Sequence, residues 1–136
     1  APSAGRSEPP EDTIDREWAM SVKRIESGPR MSQAVIHGKT VYLAGQVASG
    51  AKGKSVKAQT EDVLKSIDRL LKAAGTDKTR LIAANIWLSD IATFADMNSV
   101  WDAWVSPGNT PARATVEARL AGPEYTVEIM VTAALP

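Results

Sequence analysis

The chain contains no cysteine, and His37 is the one histidine among its 136 residues. The lack of cysteine excludes disulfides, thiolate nucleophiles and zinc sites built from cysteine. With one histidine, a Ser-His-Asp triad would depend on His37 alone, and a metal site with several histidine ligands is impossible. We therefore predict no metal site. His37 precedes a turn signal at Gly38-Lys39, so we expect it on the surface or at a strand end.

The chain also has no excess of either charge and no long hydrophobic run. Lysine plus arginine and aspartate plus glutamate number 16 each, so no strong field favours nucleic acid or an anionic membrane. No apolar run approaches the ~20 residues that a membrane span needs. The first residues lack the basic start and apolar centre of a signal peptide. Together these features predict a soluble, cytoplasmic protein without a membrane partner.

Apolar material is sufficient for one domain, which we place at residues 20–136. Hydrophobic residues make up 43% of the chain, enough for a core at this length. Residues 1–19 are different, because they are rich in proline, glycine, serine and acid and cannot bury enough surface to offset the entropy of ordering. We predict a flexible extension there, either native or an expression remnant.

Hydrophobic periodicity predicts the order β-β-β-α-β-α-β-β. Strands are expected near residues 22–25, at 35–37 and 40–46 as a hairpin, at 81–88, and on both sides of Gly122-Pro123. The clearest helix runs from Val56 to Ala74, where apolar residues recur at steps of three and four and Gly75 supplies the C-terminal cap. This order predicts an α+β fold, with a mixed sheet and two helices on one face. Because residues 81–88 are apolar on both faces, we expect self-association to cover the other face.

The second helix carries an aromatic stripe. Asp90 is a suitable capping residue, and Phe94, Met97, Trp101 and Trp104 recur on one side of the segment that follows. The stripe is most simply part of the core, and a role in lining a ligand pocket is secondary.

The loop from Ala48 to Ser55 is one residue short of a phosphate-binding loop. It ends Gly-Lys-Ser and lies between a strand and a helix, but Ala48 replaces the first glycine. No later strand ends in the aspartate that would hold magnesium. We predict a flexible surface loop that binds no nucleotide.

The segment from Thr110 to Ala134 contains the two residues that are the best candidates for a ligand-binding or catalytic role. Its two alternating runs predict an antiparallel hairpin, in which Arg113 and Glu128 share the face away from the core. A guanidinium suits a carboxylate ligand, and a carboxylate beside a water can act as a base. However, a turn centred on Gly122-Pro123 would leave the pair about 13 Å apart along the strand. Their cooperation would then need a register shift or a neighbouring subunit, and the alternative is an ordinary solvated strand face.

Several motifs resemble those of the YjgF/RidA family, also called endoribonuclease L-PSP or reactive-intermediate deaminase. The resemblance rests on Val-Tyr-Leu-Ala-Gly-Gln at 41–46, Ile-Trp-Leu-Ser-Asp-Ile at 86–91, Pro-Ala-Arg at 111–113 and Val-Glu-Ile at 127–129. It covers the chain from about Met20 to the C-terminus. The family resemblance implies a chorismate-mutase-like fold and a homotrimer with a central barrel and ligand clefts between subunits.

The resemblance also implies roles for individual residues. Arg113 matches the family's carboxylate-binding arginine, and Glu128 matches its water-activating glutamate. The substrate-binding positions of the family fall on Ala44, Gly45, Asn98 and Thr115. Three positions depart from the family pattern: Ala44 replaces a serine, Thr115 replaces a cysteine, and Arg30 or Met31 stands where a tyrosine is expected. These departures remove side-chain contacts to substrate and indicate a divergent subgroup.

The activity implied by the resemblance is hydrolytic deamination of enamines and imines of the 2-aminoacrylate type, giving 2-oxo acids and ammonia. It requires no cofactor, and its partners are a small substrate with a carboxylate and other copies of the same chain. One alternative is a non-catalytic protein that binds 2-oxo acids or amino acids in the same cleft. The other is an endoribonuclease or translation inhibitor, which the balanced charge does not favour.

Overall fold

The computed structural model describes residues 21–136, so the predicted extension at 1–19 lies outside the described residues. The described part contains seven strands, two helices and two single turns of 3-10 helix. The strands are β1 (Val22–Ser27), β2 (Ser32–His37), β3 (Thr40–Leu43), β4 (Gln46–Val47), β5 (Leu81–Leu88), β6 (Ala112–Glu117) and β7 (Val127–Ala134). The helices are α1 (Val56–Ala74) and α2 (Phe94–Trp104), and the 3-10 turns are Lys78–Arg80 and Ile91–Thr93.

All seven strands belong to one sheet. Their order is β1-β2-β3-β7-β5-β6, and the short β4 also pairs with β7. β5 and β6 are parallel, whereas β7 is antiparallel to β3, β4 and β5, so the sheet is mixed. Both helices pack on one face and share a continuous core with the residues of the central strands. The predicted α+β architecture is therefore confirmed.

Helix α1 has the predicted bounds because its signals are local. Ser55 precedes it, and the Ser55 side chain accepts a hydrogen bond of 3.2 Å from the backbone N–H of Ala58. At the other end Gly75 has a φ of 92°, a left-handed conformation that glycine adopts without a steric penalty. Apolar residues at helical spacing, among them Val63 and Ile67, are completely buried against the sheet.

The predicted hairpin between the last two strands is wrong. β6 pairs in parallel with β5, and β7 pairs with the opposite edge of β5, so β5 lies between them. Gly122-Pro123 falls within a longer connection, residues 118–126, rather than in a tight turn. The physical reason lies in β5, which buries Leu81, Ala84, Ile86 and Leu88 and is stabilised by a paired strand on both of its edges.

The sheet face opposite the helices carries several apolar side chains. Alternation along β3, β5 and β6 places Tyr42, Trp87 and Val116 on this face. Tyr42 and Val116 are about half exposed, while Trp87 is partly buried. The expectation that another copy covers this face stays a prediction.

No helix within residues 21–136 is long and apolar enough to cross a membrane.

The edge strand β1 is tied to α1 by an ion pair. Glu26, near the end of β1, has a φ of 51°, a left-handed conformation that is uncommon for a residue other than glycine. Its carboxylate lies 2.6 Å from Nη1 of Arg69 on α1. This hydrogen bond lowers the pKa of Glu26 and raises that of Arg69. The ion pair thus joins the edge of the sheet to the helix layer.

Candidate functional site

Arg113, near the start of β6, is held by one side of α2. Its Nη1 donates a hydrogen bond of 2.8 Å to Oδ1 of Asn98. Its Cζ lies 5.3 Å from the ring centroid of Trp101 and 5.8 Å from that of Phe94, within the range of cation–π attraction. Phe94, Asn98 and Trp101 are four and three residues apart, so they share one face of the helix. The structure therefore brings together Arg113 and Asn98, two of the residues named from the sequence.

The positive charge of Arg113 has no acidic partner within residues 21–136. The groups that hold the guanidinium are an amide oxygen and two aromatic rings, none of which neutralises it. Nη2 and Nε donate no hydrogen bond to any residue of the same range, and the side chain is exposed. Nη2 and Nε are therefore available to donate to an anionic ligand. A carboxylate has two oxygens whose spacing matches these two donors.

Glu128 lies on β7, on the sheet face opposite the helices. It pairs with Trp87 on one side and Val47 on the other. Its carboxylate packs against the backbone of Gly45, so closely that a Cβ at position 45 would overlap Oε2 and lie 3.1 Å from Cδ. Within the described range the carboxylate forms no ion pair, and it is partly buried. Gly45 and Glu128, both named from the sequence, are therefore neighbours.

The backbone of Ala44 is fixed immediately before this contact. Its N–H donates to the carbonyl of Gln33 at 2.9 Å, and its carbonyl accepts from Nε2 of Gln46 at 3.0 Å. A second bond from the same Nε2, to Oε1 of Gln33, completes the arrangement. Ala44 has no side-chain hydroxyl, so the substrate-binding role predicted for it would depend on its backbone.

Thr115 lies two residues beyond Arg113, on the same face of β6. Its Oγ1 is buried and has no hydrogen-bond partner among residues 21–136. A buried hydroxyl without a partner is uncommon in folded proteins and is a reason to look for a ligand or solvent atom beside it. The substrate-binding role predicted for Thr115 is compatible with this position.

The expectation that Arg113 and Glu128 share a face is wrong. Arg113 pairs with Ala84, which is buried beneath the helices, whereas Glu128 pairs with Trp87 on the other face. Paired residues point to the same side of a sheet, so the two charged side chains lie on opposite sides. Two strand spacings and three residues of strand rise separate their Cα atoms by about 14 Å. Within one copy of the chain they cannot contact the same small molecule.

Sequence reasoning missed the contacts that Phe94 and Trp101 make with the guanidinium. It assigned both rings to the core, and the assignment holds for Trp101, which is 4% exposed and also contacts Arg113. Phe94 is 39% exposed and belongs to the surface around the arginine. The i, i+4, i+7 spacing of Phe94, Asn98 and Trp101 was visible in the sequence, but nothing there showed that β6 would lie beside it.

The loop that resembles a phosphate-binding loop lies only partly on the surface, because Ala48 and Ala51 are buried in the core. Lys52 and Lys54 are exposed, and the N–H of Gly53 donates to the carbonyl of Glu124 at 3.0 Å. This hydrogen bond attaches the loop to the connection before β7. Its expected lack of nucleotide binding stays a prediction.

His37 ends β2 and is exposed, as expected.

Two concave regions of the described structure lie outside the predicted site. A cleft of about 830 Å³ is bordered by Glu117, Arg119 and Tyr125, and a groove of about 530 Å³ runs between α1 and α2 beside Trp104. Neither region includes Arg113 or Glu128. Arg113 is exposed and Glu128 is partly buried, and the two lie on opposite faces of the sheet.

Comparison with known proteins identifies the family. Residues 22–135 match the family model described as Endoribonuclease L-PSP. A RutC family protein of Haemophilus ducreyi is 42% identical over 114 residues, which cover 84% of this chain and 97% of that protein. The crystal structure of NMB1025, a member of the YjgF protein family from Neisseria meningitidis, superposes with a TM-score of 0.84 at 46% identity, covering 87% of this chain and 98% of that one.

A relative with a named activity is more distant. The 2-iminobutanoate/2-iminopropanoate deaminase of Rattus norvegicus is 32% identical over 91 residues, covering 63% of this chain and 66% of that protein. The match over residues 22–135, the RutC relative and the shared YjgF architecture agree with one another. The chain therefore belongs to the Endoribonuclease L-PSP family, the YjgF/RutC/RidA proteins.

Proposed function

We propose that the protein hydrolyses small reactive imines carrying a carboxylate, of the type formed from 2-aminoacrylate, to 2-oxo acids and ammonia. The observation that carries the proposal is the guanidinium of Arg113, which α2 holds through neutral groups and leaves with free donors. The named deaminase among the relatives adds support, at lower identity than the RutC proteins. We also propose that this protein acts in the cytoplasm.

In the proposed reaction Arg113 binds the substrate carboxylate through Nη2 and Nε. Glu128 accepts a proton from a water molecule, whose oxygen attacks the imine carbon and forms a carbinolamine. Glu128 delivers this proton to the imine nitrogen, which completes the carbinolamine. It then takes the hydroxyl proton as the carbonyl forms and passes that proton to the nitrogen, so that the C–N bond breaks and ammonia leaves. Water is the only co-reactant, and the oxidation level of the carbon does not change. An enamine substrate must first isomerise to its imine.

The proposed site requires two copies of the chain. Because Arg113 and Glu128 lie on opposite faces of the sheet, about 14 Å apart, one small substrate can reach both only where two copies meet. The apolar side chains of the face that carries Glu128 favour such an association. We therefore propose a homotrimer with a cleft at each interface, in which one copy supplies Arg113 and its neighbour supplies Glu128.

The test is a coupled assay in which a serine or threonine dehydratase generates the imine and ammonia release is followed. Wild-type protein should accelerate the release. Arg113→Ala removes a charge-assisted hydrogen bond worth roughly 1.5–3 kcal/mol, so 2-oxo acid binding should weaken about ten- to a hundredfold. Glu128→Gln keeps the shape without the base, so binding should persist while hydrolysis falls by about two orders of magnitude. Wild-type rates in Glu128→Gln would contradict the role of the base.

Mixing the two variants tests the composite site. If Arg113→Ala and Glu128→Gln chains are unfolded and refolded together in equal amounts, about a quarter of the interfaces should carry both native residues. Activity should return to about that fraction of the wild-type value. If each copy worked alone, the mixture would be as inactive as its components.

Non-catalytic binding of a 2-oxo acid or amino acid is the second candidate. It is favoured by Ala44 and Thr115, where side chains that the family pattern uses to fix substrate are replaced. Saturable binding of a 2-oxo acid that depends on Arg113, with no acceleration of imine hydrolysis by the wild type, would establish it.

A further inference from the structure

Gln59, in the first turns of α1, is completely buried and joins three segments of the chain. Its Nε2 donates to the carbonyl of Lys54 at 3.1 Å and to the carbonyl of Glu124 at 2.8 Å. Its Oε1 accepts from the backbone N–H of Thr126 at 2.9 Å. One side-chain amide thus satisfies three backbone groups in two loops, and both loops continue into the surroundings of Glu128.

The first loop connects Gly45 to α1, and the second ends at the start of β7. Glu128 is two residues beyond Thr126, and its carboxylate packs against Gly45. The N–H of Gly53, in the first loop, donates to the same carbonyl of Glu124 that Gln59 binds. The segment that leads into β7 and residues 53–54 of the loop that follows Gly45 are therefore held together by hydrogen bonds that converge on Gln59.

The opposite edge of this segment is held separately. The N–H of Ser89, at the end of β5, donates to the carbonyl of Thr126 at 3.1 Å. Loss of Gln59 would therefore leave Glu128 paired with Trp87 and Val47, and it would release the residues just before β7 from α1 and from the loop after β4. The position of the Glu128 carboxylate relative to Gly45 would become less defined, although the sheet would remain paired.

We infer that Gln59 is a positioning residue for Glu128: from inside α1 it sets where the carboxylate stands relative to Gly45. The inference rests on the proposed function insofar as it concerns catalysis. Gln59 does not touch the substrate in this scheme, and it does not affect the binding of the substrate carboxylate by Arg113. Its effect is therefore expected in the chemical step and not in substrate binding.

The test compares Gln59→Met with Thr76→Val. Thr76 is a matched control, because it is also buried and donates to the carbonyl of Ala134, at the far end of β7, at 2.6 Å. Gln59→Met should lower kcat about ten- to a hundredfold with KM nearly unchanged, since a displacement of about 1 Å in a catalytic group can cost that much. Thr76→Val should leave both constants near the wild-type values. The ¹³C resonance of the Glu128 carboxyl should move in the first variant and not in the second.

Each outcome decides the inference. A wild-type kcat and an unmoved carboxyl resonance in Gln59→Met would overturn it, and so would an equal loss of kcat in Thr76→Val. If the wild-type protein hydrolyses no imine, the proposed function fails, and the carboxyl resonance alone decides whether Gln59 positions Glu128. If Gln59→Met does not fold, Gln59→Glu replaces it. That variant keeps the acceptor for Thr126 and loses the donors to Lys54 and Glu124, and an unmoved resonance would again refute the inference.

Discussion

Gly45→Ala should separate the catalytic geometry from the stability of the fold. A Cβ at position 45 would overlap Oε2 of Glu128 and lie 3.1 Å from Cδ and 3.3 Å from Cγ. The obstructing atoms are the end of a flexible side chain, so the carboxylate can rotate away while the backbone stays in place. Because φ of Gly45 is not in the left-handed region, alanine is sterically allowed there. The fold should survive, and the carboxylate should move.

The size of the effect follows from that displacement. Relieving the overlap requires the carboxylate to shift by about 1 Å or more, which in well-positioned catalytic groups costs on the order of a hundredfold in rate. Stability should change by less than about 1 kcal/mol, because alanine also reduces the entropy of the unfolded chain. We therefore expect a loss of about a hundredfold in kcat with a melting temperature within a few degrees of the wild type, measured by the coupled ammonia assay and by circular dichroism.

The control is Gly28→Ala, since a Cβ at Gly28 would meet only the carbonyl of Met31 at an ordinary 3.7 Å. This variant should retain wild-type kcat. If Gly45→Ala also retains it, the position of the Glu128 carboxylate against Gly45 is not part of the chemistry. Unfolding of Gly45→Ala would show instead that the carboxylate cannot yield, and the assumption of a flexible side chain would be wrong.

Three further predictions address the rest of the molecule. Sedimentation equilibrium should give three times the mass of one chain, and a stable monomer at micromolar concentration would exclude the composite site. Calorimetric titration with ATP and magnesium should show no saturable heat, whereas binding that is lost in Lys54→Ala would reveal a nucleotide site. Glu26→Gln should lower the melting temperature slightly at pH 7, because the hydrogen bond from Arg69 lowers the pKa of Glu26 from its ordinary value of 4.5. That stabilisation is present above the unfolded-state pKa and lost as the pH falls through the lower folded-state pKa, so a difference from wild type that persists at more acidic pH would contradict its origin.

Local signals predicted α1 and β5 accurately. The bounds of α1 depend on Ser55, on the apolar residues at helical spacing and on Gly75, all of which act within a few residues of one another. Leu81–Leu88 is recognisable as a strand because it is apolar apart from Asn85 and lies between two helical segments. In both cases the information that specifies the element lies inside the element.

The partner of each strand is a different kind of information. Alternation in β6 and β7 shows which residues share a side, but it does not show which strand lies alongside. The turn signal at Gly122-Pro123 favoured a hairpin, and the stabilisation gained by pairing both edges of β5 outweighed it. The side of the sheet on which Arg113 lies depended on that choice. The residues of the candidate site could thus be named from the sequence, while their arrangement could not.

That arrangement bears on whether Arg113 and Glu128 are structural charges. Arg69 shows a structural arrangement, because its guanidinium is paired with the carboxylate of Glu26. Arg113 instead has aromatic and amide neighbours, and Glu128 packs against a glycine, so within residues 21–136 neither has an oppositely charged partner. Opposite charges that lie on opposite faces of one sheet cannot neutralise each other inside a copy, but they can do so between copies. Self-association and assembly of a carboxylate-binding site would then be the same event, which is why loss of activity in Arg113→Ala must be measured together with the oligomeric state.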